Sequence, residues 1–169
     1  MIRRGRQHDS DDIAKIFNDY IAGGGLTDTD ELVTSADRRT WLAQHEESYP
    51  VYVWDEGNHV VGWSSVSPLS ARHADPRVAE IGVYVAPQYQ NQGIGERLVV
   101  HALEHIDISQ LRVVVAIVFA RNDRSQRLFA RVGFEQVMYL REAALLREKW
   151  EDVLWFAKPV AKRTRRELP

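Results

Sequence analysis

The sequence contains no cysteine. Disulfides, thiol nucleophiles and cysteine-ligated metal centres are therefore excluded. It also has no apolar run near the ~18 residues that a membrane-spanning helix needs. The opening MIRRGRQHDSDD carries positive charge without the apolar segment of a signal peptide. These absences predict a cytoplasmic protein with no membrane partner.

An excess of charge of one sign is also lacking. The formal net charge is −2, from 22 Lys and Arg against 24 Asp and Glu, which provides no general attraction to nucleic acid. The basic residues 161–169 are expected to form a flexible tail, and nothing else in the chain supports a nucleic-acid role for them. With 44% hydrophobic and 27% charged residues, residues 1–160 are expected to fold as a single domain.

Hydrophobic periodicity predicts helices mixed with strands, an α+β (mixed α/β) chain rather than a doubly wound sheet. One helix is expected to begin at Asp9 or Ser10 and to stop at Gly23, and a second is expected to be capped by Ser35. A helix from about Gly93 to His105 and a short helix ended by Gly133 are also expected. The expected strands are VYVWD, HVVGWSSVS, VAEIGVYV, LRVVVAIVF, QVMYL and EDVLWFAK.

Gly93 and Gly95 stand two apart between a β-branched strand and a helix. Glycines in this position allow backbone N–H groups to approach an anion closely. A P-loop would need Lys and Ser or Thr after the second glycine, where the chain has Glu96 and Arg97. A dinucleotide fingerprint would need a third glycine, where Leu98 stands. An anion-binding loop and a plain strand-to-helix turn both remain open.

Two elements in this order resemble the GNAT superfamily of acyl-CoA-dependent N-acetyltransferases. The run QNQGIG at 90–95 resembles its Q/R-x-x-G-x-G/A signature. NDRSQRLFARVGF at 122–134 resembles the asparagine element that follows in the family. Residues 2–158 resemble the phosphinothricin N-acetyltransferase branch through SARHADPRVAEIGVYV and through the closing Trp150, Asp152, Val153 and Trp155.

The resemblance implies the GNAT fold, a central, mostly antiparallel twisted sheet flanked by helices. It implies direct transfer from acetyl-CoA, without metal, to a small primary amine such as phosphinothricin, methionine sulfoximine or methionine sulfone. A homodimer is also implied, because many members of the branch are homodimers. The residues implied to bind the co-substrate are Val83, Tyr84, Val85, Gln90, Asn91, Gln92, Gly93, Ile94, Gly95, Glu96, Asn122 and Ser125.

Glu80 is the implied general base. An alkylammonium group has a pKa near ~10 and must lose a proton before it attacks; the alternative for Glu80 is an exposed carboxylate or an ion pair with Arg77. Arg72 and Asp75 are the implied substrate contacts. Arg72 could clamp an oxyanion or be a solvated surface charge, whereas Asp75, which replaces a tyrosine of the branch, would suit a cationic amine.

Phe129 departs from the superfamily, which often has Tyr or His there to protonate the leaving thiolate. Tyr84 and Tyr139 are possible substitutes, and water could suffice because a thiol has a pKa near ~8.5. The departure keeps a non-catalytic acyl-CoA sensor open as an alternative, beside acetylation of a peptide α-amine. His101 and His105, one helical turn apart, could chelate a metal or form part of a solvated helix face.

Overall fold

The computed structural model describes residues 1–24, 27, 29–45, 49–57, 59–69, 77–106 and 111–160. Within these residues, α-helices are interspersed among the strands, and two short 3-10 turns lie at Gln7–Asp9 and Pro87–Tyr89. The helices are α1 (Ser10–Ala22), α2 (Ser35–Ala43), α3 (Ile94–His105) and α4 (Asp123–Arg131). The strands are β1 (Ile2–Arg4), β2 (Val51–Asp55), β3 (Val60–Pro68), β4 (Val78–Val85), β5 (Val113–Phe119), β6 (Glu135–Leu146) and β7 (Lys149–Pro159).

The ends of α1 and α2 lie close to the predicted positions, and the cap of α2 shows how local chemistry sets a helix start. Helix α1 begins at Ser10 and ends before Gly23, as predicted. Helix α2, however, is capped by Thr34, and the prediction of a Ser35 cap is wrong by one residue. The reason is reciprocal bonding: the Thr34 hydroxyl accepts the Asp37 N–H at 3.1 Å, and the Asp37 carboxylate accepts the Thr34 N–H at 2.8 Å. Only Thr34 has an acid three residues later.

A seven-stranded sheet runs through the described residues in the order β1-β2-β3-β4-β5-β7-β6. Each neighbouring pair is antiparallel except β4 and β5, which are parallel. This topology confirms the predicted mixed class and the mostly antiparallel sheet.

Strands β4 and β5 separate partway along their length. Their register runs only from Val78↔Val113 to Glu80↔Val115, although β4 continues to Val85 and β5 to Phe119. On its other side β4 stays paired with β3 as far as Val85. A wedge therefore opens beside the second half of β4.

The two faces of β4 contact different helices. Ala79, Ile81 and Val85 pack into the core that contains Leu98 and Ala102 of α3. Tyr84 packs instead against the α1 side, where Phe17 and Trp63 lie. Because side chains alternate along a strand, Glu80 and Gly82 share the Tyr84 face, toward α1 and α2.

The β6–β7 hairpin is longer than the sequence predicted, since QVMYL and EDVLWFAK cover only part of it. The strands meet at a turn in which Arg147 and Glu148 both have positive φ, 47° and 63°. Such turns usually carry Asn-Gly, so this pair offers no turn signal in the sequence. The hairpin extends across the wedge, where Leu140 and residues 143–146 face the cavity described below.

Candidate active site

A cavity of about 910 Å³ occupies the wedge between β4 and β5. One wall comes from α1, α2, β3 and β4, and the other from β5, α4, β6 and β7. Glu80 lies on its wall at the last position where β4 and β5 still pair. The cavity thus joins the open edge of β4 to a half-buried carboxylate.

Strand β4 presents only alternate peptide groups to the wedge. The Ala86 N–H donates to Val61 O at 2.8 Å, toward β3. In an antiparallel pair, bonded and non-bonded positions alternate, so the N–H and C=O groups of Val85 and Val83 turn away from β3 toward the wedge. The Tyr84 backbone turns toward β3, and Tyr84 reaches the cavity with its side chain.

The phenol of Tyr20 already bonds to the backbone of Val85 at the open edge of β4. Its hydroxyl accepts the Val85 N–H at 3.2 Å and lies 3.2 Å from Val85 O, to which it can donate. The Gln90 side-chain amide donates to the same hydroxyl at 3.1 Å and to Val85 O at 3.0 Å. Gln90, from the predicted glycine loop, therefore contacts the same edge of β4, and Arg124 donates to its carbonyl oxygen.

The glycine loop ends in an open helix N-terminus. Gly93 caps α3 with φ 77°, and Asn91 has φ 62°. The Arg97 N–H is bonded to Gly93 O, so the three amides before it, those of Ile94, Gly95 and Glu96, precede the first intrahelical bond. Unbonded amides and the helix dipole favour an anion there.

Gly93 and Gly95 each need to be glycine, for different structural reasons. No described atom lies within 4 Å of a Cβ built on Gly93, so its requirement is the left-handed backbone. A Cβ on Gly95 would stand 3.0 Å from Leu128 Cδ1 and 3.6 Å from a Val85 methyl. Gly95 therefore allows close packing of α3 on α4 and β4. Gln92 lies on the exposed side of the loop, where its amide is 3.4 Å from Gln88 O.

Asn122 and Ser125 lie together at the start of α4. The Asn122 Oδ1 atom accepts the Ser125 N–H at 3.1 Å, which caps the helix. Both residues also line the cavity. A helix cap and a ligand contact are thus compatible roles for the same asparagine.

Aromatic rings form the cavity wall on the Glu80 face. Trp63 stacks on Tyr84 at 4.4 Å between centroids, and Trp41 meets Trp63 edge-on at 5.5 Å. Arg38 lies among them, only 8% exposed, with its Cζ 4.1 Å from the centre of the Phe17 ring. The sequence reasoning missed Arg38. Its spacing from Trp41 and Leu42, three and four positions on, was the signal that it faces inward.

His45 lies behind this wall, and its partner Ser67 lines the cavity. The His45 Nδ1 atom is 2.8 Å from Trp41 O, and Nε2 is 3.2 Å from Ser67 Oγ. Since a carbonyl only accepts, Nδ1 carries the proton and Nε2 accepts from the hydroxyl. Burial lowers the pKa of His45, and the nearby charge of Arg38 lowers it further. Ser67 is the β3 partner of Glu80.

Several predicted residues are placed elsewhere or cannot be located. Arg72 and Asp75 lie outside the described residues. Phe129 is 3% exposed, packs edge-on against Phe134 at 5.1 Å and lines the cavity as an apolar surface. Tyr139 is on the exposed strand β6, where its hydroxyl bonds to Asp152. Its phenol is therefore tied to a carboxylate on the hairpin surface.

The histidine pair on α3 forms a ring stack. The rings of His101 and His105 are 4.0 Å apart, and His101 also meets Tyr52 edge-on. Burial, and then the neighbouring His105, lower the pKa of His101. Within the described residues, no three His, Asp or Glu side chains are grouped closely enough to hold a metal ion. No helix in this part of the chain is long and apolar enough to cross a membrane.

Comparison with known proteins identifies relatives over nearly the whole chain. Residues 12–134 match the model of the acetyltransferase (GNAT) family. A phosphinothricin N-acetyltransferase of Streptomyces coelicolor is 30% identical over 163 residues, 94% of this chain and 95% of the relative. An L-amino acid N-acyltransferase of Escherichia coli K12 is 26% identical over 96% of this chain and 95% of the relative.

A solved structure supports the same fold. The phosphinothricin acetyltransferase of Sinorhizobium meliloti, solved in complex with acetyl-CoA, superposes with a TM-score of 0.89. The alignment covers 99% of this chain and 91% of that one, at 21% identity. At that identity, the likeness shows the fold.

Proposed function

The chain belongs to the GNAT family of acetyltransferases, and from this premise we propose that it moves the acetyl group of acetyl-CoA to the primary amine of an amino acid or amino-acid analogue. Small-molecule N-acetylation is supported by the names of the relatives, a phosphinothricin N-acetyltransferase and an L-amino acid N-acyltransferase. The observation that carries the proposal is the wedge: Val83 on the open strand edge and Glu80 border one cavity, and the N-terminus of α3 packs beside Val83 and Val85.

The groups along the wedge suit acetyl-CoA. The backbone of Val83 offers an N–H and a C=O to a pantetheine chain lying beside β4, as an added strand would. The amides of Ile94, Gly95 and Glu96 suit the diphosphate. Asn122 and Ser125 would border the acyl end from α4.

The residues around Glu80 provide the chemistry of a direct transfer. The Glu80 carboxylate takes a proton from the substrate ammonium, directly or through water, and the freed amine forms a bond to the acetyl carbon. The Val83 N–H polarises the acetyl carbonyl as charge builds on its oxygen. The carbon–sulfur bond breaks, the nitrogen releases its second proton, and water relays that proton to the thiolate, because Phe129 has none to donate and a thiol pKa near ~8.5 makes the thiolate a tolerable leaving group.

The hairpin supports a small acceptor rather than a protein chain. Arg147 at its turn donates to Ile21 O at the end of α1, and Arg121 donates to Gly24 O at 2.8 Å. These bonds join the β6–β7 turn and the β5–α4 loop to the C-terminal end of α1, next to Leu146 of the cavity wall. Acetylation of a peptide α-amine would need an open groove there.

Release of free thiol from acetyl-CoA, across amino acids, phosphinothricin, methionine sulfoximine, polyamines and a peptide, tests the proposal. We expect turnover with an amino acid or analogue, and a fall of about 10²–10⁴-fold in Glu80→Gln with unchanged CoA binding. Glu104→Gln, on the exposed side of α3, is the matched control and should match the wild type. Full activity in Glu80→Gln would reject Glu80 as the base.

A non-catalytic acyl-CoA sensor is the second candidate, favoured by the apolar Phe129 at the cavity wall. A sensor would bind acetyl-CoA and release no thiol with any amine of the panel. The same assay, run beside a CoA-binding titration, therefore separates the two functions.

We also propose that the chain forms a homodimer through the β6–β7 hairpin. Strand β6 is the outer strand of the sheet, and Val137, Leu145 and Trp150 are each more than half exposed. Exposed apolar side chains on an edge strand favour pairing with another strand. Light scattering of the wild type should give twice the 19.4 kDa chain mass. A monomeric mass for both the wild type and Trp150→Glu would reject the dimer.

A further inference from the structure

We propose that Ser67 accepts a hydrogen bond from the amine of the acceptor, and that His45 is the positioning residue that keeps the Ser67 hydroxyl turned away from the cavity. The inference rests on the proposed function and names a contact for the amine in the same site. It adds a residue of β3 to a site for which the sequence pointed only to Glu80, Arg72 and Asp75.

A backbone carbonyl fixes the direction of the bond between His45 and Ser67. The His45 Nδ1 atom is 2.8 Å from Trp41 O. Because a carbonyl oxygen only accepts, the neutral ring carries its hydrogen on Nδ1 and a lone pair on Nε2. Nε2 is 3.2 Å from Ser67 Oγ, so the Ser67 hydroxyl donates its hydrogen to His45.

Ser67 therefore presents only lone pairs to the cavity, which it lines. A hydroxyl has one hydrogen and two lone pairs, and among the described residues that hydrogen is taken by His45. Asp37 and Arg38 line the same cavity with one charge of each sign. The direction of the bond, rather than the net charge, thus makes Ser67 a partner for an N–H group and not for a carboxylate.

Ser67 lies directly beside the implied base. It is the cross-strand partner of Glu80 in the β3–β4 pair, and residues in this relation share a face, with Cβ atoms about 4.5–5.5 Å apart. Both residues line the cavity. An ammonium group has three N–H donors, so one acceptor nitrogen can donate to Ser67 while Glu80 removes another proton, directly or through water.

This bond affects the rate of transfer as well as binding. Once Glu80 has taken a proton, the remaining N–H bond to Ser67 limits rotation of the amine and keeps its lone pair turned toward the acetyl carbon. The nitrogen gains positive charge as the new bond forms. The hydrogen bond to Ser67 then becomes charge-assisted and is stronger in the transition state than in the ground state.

The surroundings of His45 keep its ring neutral. The residue is half-buried, and its ring lies 4.2 Å from that of Trp41. Burial lowers the pKa of His45, and the charges of Arg38 on α2 and Arg4 on β1 lower it further, although the bond to Trp41 O opposes them. A neutral ring has a lone pair on Nε2, which the arrangement with Ser67 requires.

The test compares each amine with its des-amino analogue, in which hydrogen replaces the amine so that nothing can donate to Ser67. The amines are L-methionine sulfone, L-methionine sulfoximine and phosphinothricin. Calorimetry would measure the binding of both members of each pair to the CoA-bound protein, and thiol release would give kcat and KM. The variants are Ser67→Ala, Ser67→Thr and, as the matched control, Thr40→Ala, which removes a hydroxyl from the exposed side of α2.

We expect Ser67→Ala to weaken amine binding and to lower kcat/KM by roughly 10- to 100-fold, the usual loss for a hydrogen bond to a charged group. The binding of the des-amino analogues should not change. Ser67→Thr, which keeps the hydroxyl, should recover most of the loss, and Thr40→Ala should behave as wild type. Equal losses for an amine and its des-amino analogue in Ser67→Ala would reduce Ser67 to a packing role and overturn the proposal.

The positioning role of His45 is tested by a double-mutant cycle. His45→Phe should weaken the binding of the amines but not that of their des-amino analogues, because it frees the Ser67 O–H to turn toward the cavity. His45→Gln should recover part of the loss, since its side-chain oxygen can accept that O–H. In the Ser67→Ala background His45→Phe should add no further loss, and a full additional loss would show that His45 does not act through Ser67.

Three outcomes separate this inference from the proposed function. A wild type that binds each amine no more tightly than its des-amino analogue overturns the inference without any variant. Thiol release by Ser67→Ala at the wild-type rate and KM overturns it but retains the transferase. Absence of thiol release with Ser67-dependent amine binding rejects the transferase function but retains Ser67 as the amine contact.

Discussion

The hydroxyl of Tyr20 occupies a strand edge that the proposed co-substrate would need. It bonds to both peptide groups of Val85, each at 3.2 Å, and accepts from Gln90 at 3.1 Å. If a pantetheine chain pairs with the same edge, the two compete. Tyr20→Phe should then destabilise the ligand-free protein and strengthen CoA binding, two effects of opposite sign from one atom.

The size of both effects follows from the bonds lost. Gln90 still reaches Val85 O at 3.0 Å without the phenol, so the principal loss is the acceptor for the Val85 N–H. At about 1 kcal/mol for a typical hydrogen bond and up to about 2 for a partly buried donor, unfolding should become easier by about 1–2 kcal/mol. For a chain of this size that lowers Tm by about 2–8 °C. The same free energy, no longer lost on binding, tightens the Kd for CoA by about 5- to 30-fold.

Thermal unfolding with and without CoA, together with calorimetric titration, measures both. The Tm difference between wild type and Tyr20→Phe should vanish at saturating CoA, because the hydroxyl is displaced in the complex. Tyr139→Phe is the matched control, since that hydroxyl bonds to Asp152 on the exposed hairpin. Unchanged or weaker CoA binding in Tyr20→Phe would show that phenol and ligand do not compete for Val85.

Three further predictions concern single residues. Gly93→Ala should lower the free energy of unfolding by about 1–2 kcal/mol in urea titrations, because Gly93 has φ 77° with open space around it. His45 has a lowered pKa in the folded state. Its contribution to stability is therefore complete above its unfolded pKa near ~6.5 and is lost as pH falls below that value. In urea titrations between pH 7.5 and 5, the free energy of unfolding should fall more steeply for the wild type than for His45→Gln. Asp9 is 4% exposed and takes two bonds from Arg3, at 2.7 and 2.8 Å; Asp9→Asn should lower the free energy of unfolding by about 2–4 kcal/mol at pH 7.

Each of these variants has a control in the chain. Gly93→Asn should be milder than Gly93→Ala because asparagine tolerates a left-handed backbone, and equal losses would contradict the conformational argument. His59→Gln and Asp11→Asn replace exposed residues of the same types. If either control changed stability as much as its buried counterpart, burial would not be the cause. Burial opposes the lowered pKa of Asp9, but the bonds from Arg3 outweigh it, so the Asp9→Asn difference should shrink as pH falls through that pKa.

The fold class and much of the wedge could be predicted from the sequence because their signals are local. Gly93 marks a left-handed turn between a strand and a helix, and Asn122 caps the next short helix three residues before its bonding partner. The family resemblance rests on these same short runs, and the GNAT match over residues 12–134 confirms it. Local steric and hydrogen-bonding requirements involve residues that are close in the sequence, so they can be recognised from the sequence alone.

The side of the cavity that α2 lines could not be recognised in this way. Arg38 lies on α2, while the rings against it come from α1, α2 and β3. The length of the β6–β7 hairpin was underestimated because Arg147 and Glu148 form its turn without glycine or asparagine. Neither α2 nor the β6–β7 hairpin contains a short sequence motif from which its contacts could be predicted.

The sequence by itself determined the glycine turn, the mixed fold class and the acetyltransferase family. Only the tertiary structure decided that Tyr20 bonds to Val85, 65 positions away, and that Arg38 rather than Arg39 faces the cavity that Glu80 lines. The physical reason is that a cap or turn is satisfied by neighbouring residues, whereas these contacts exist only once α1 and α2 pack on one face of the sheet and β4 separates from β5.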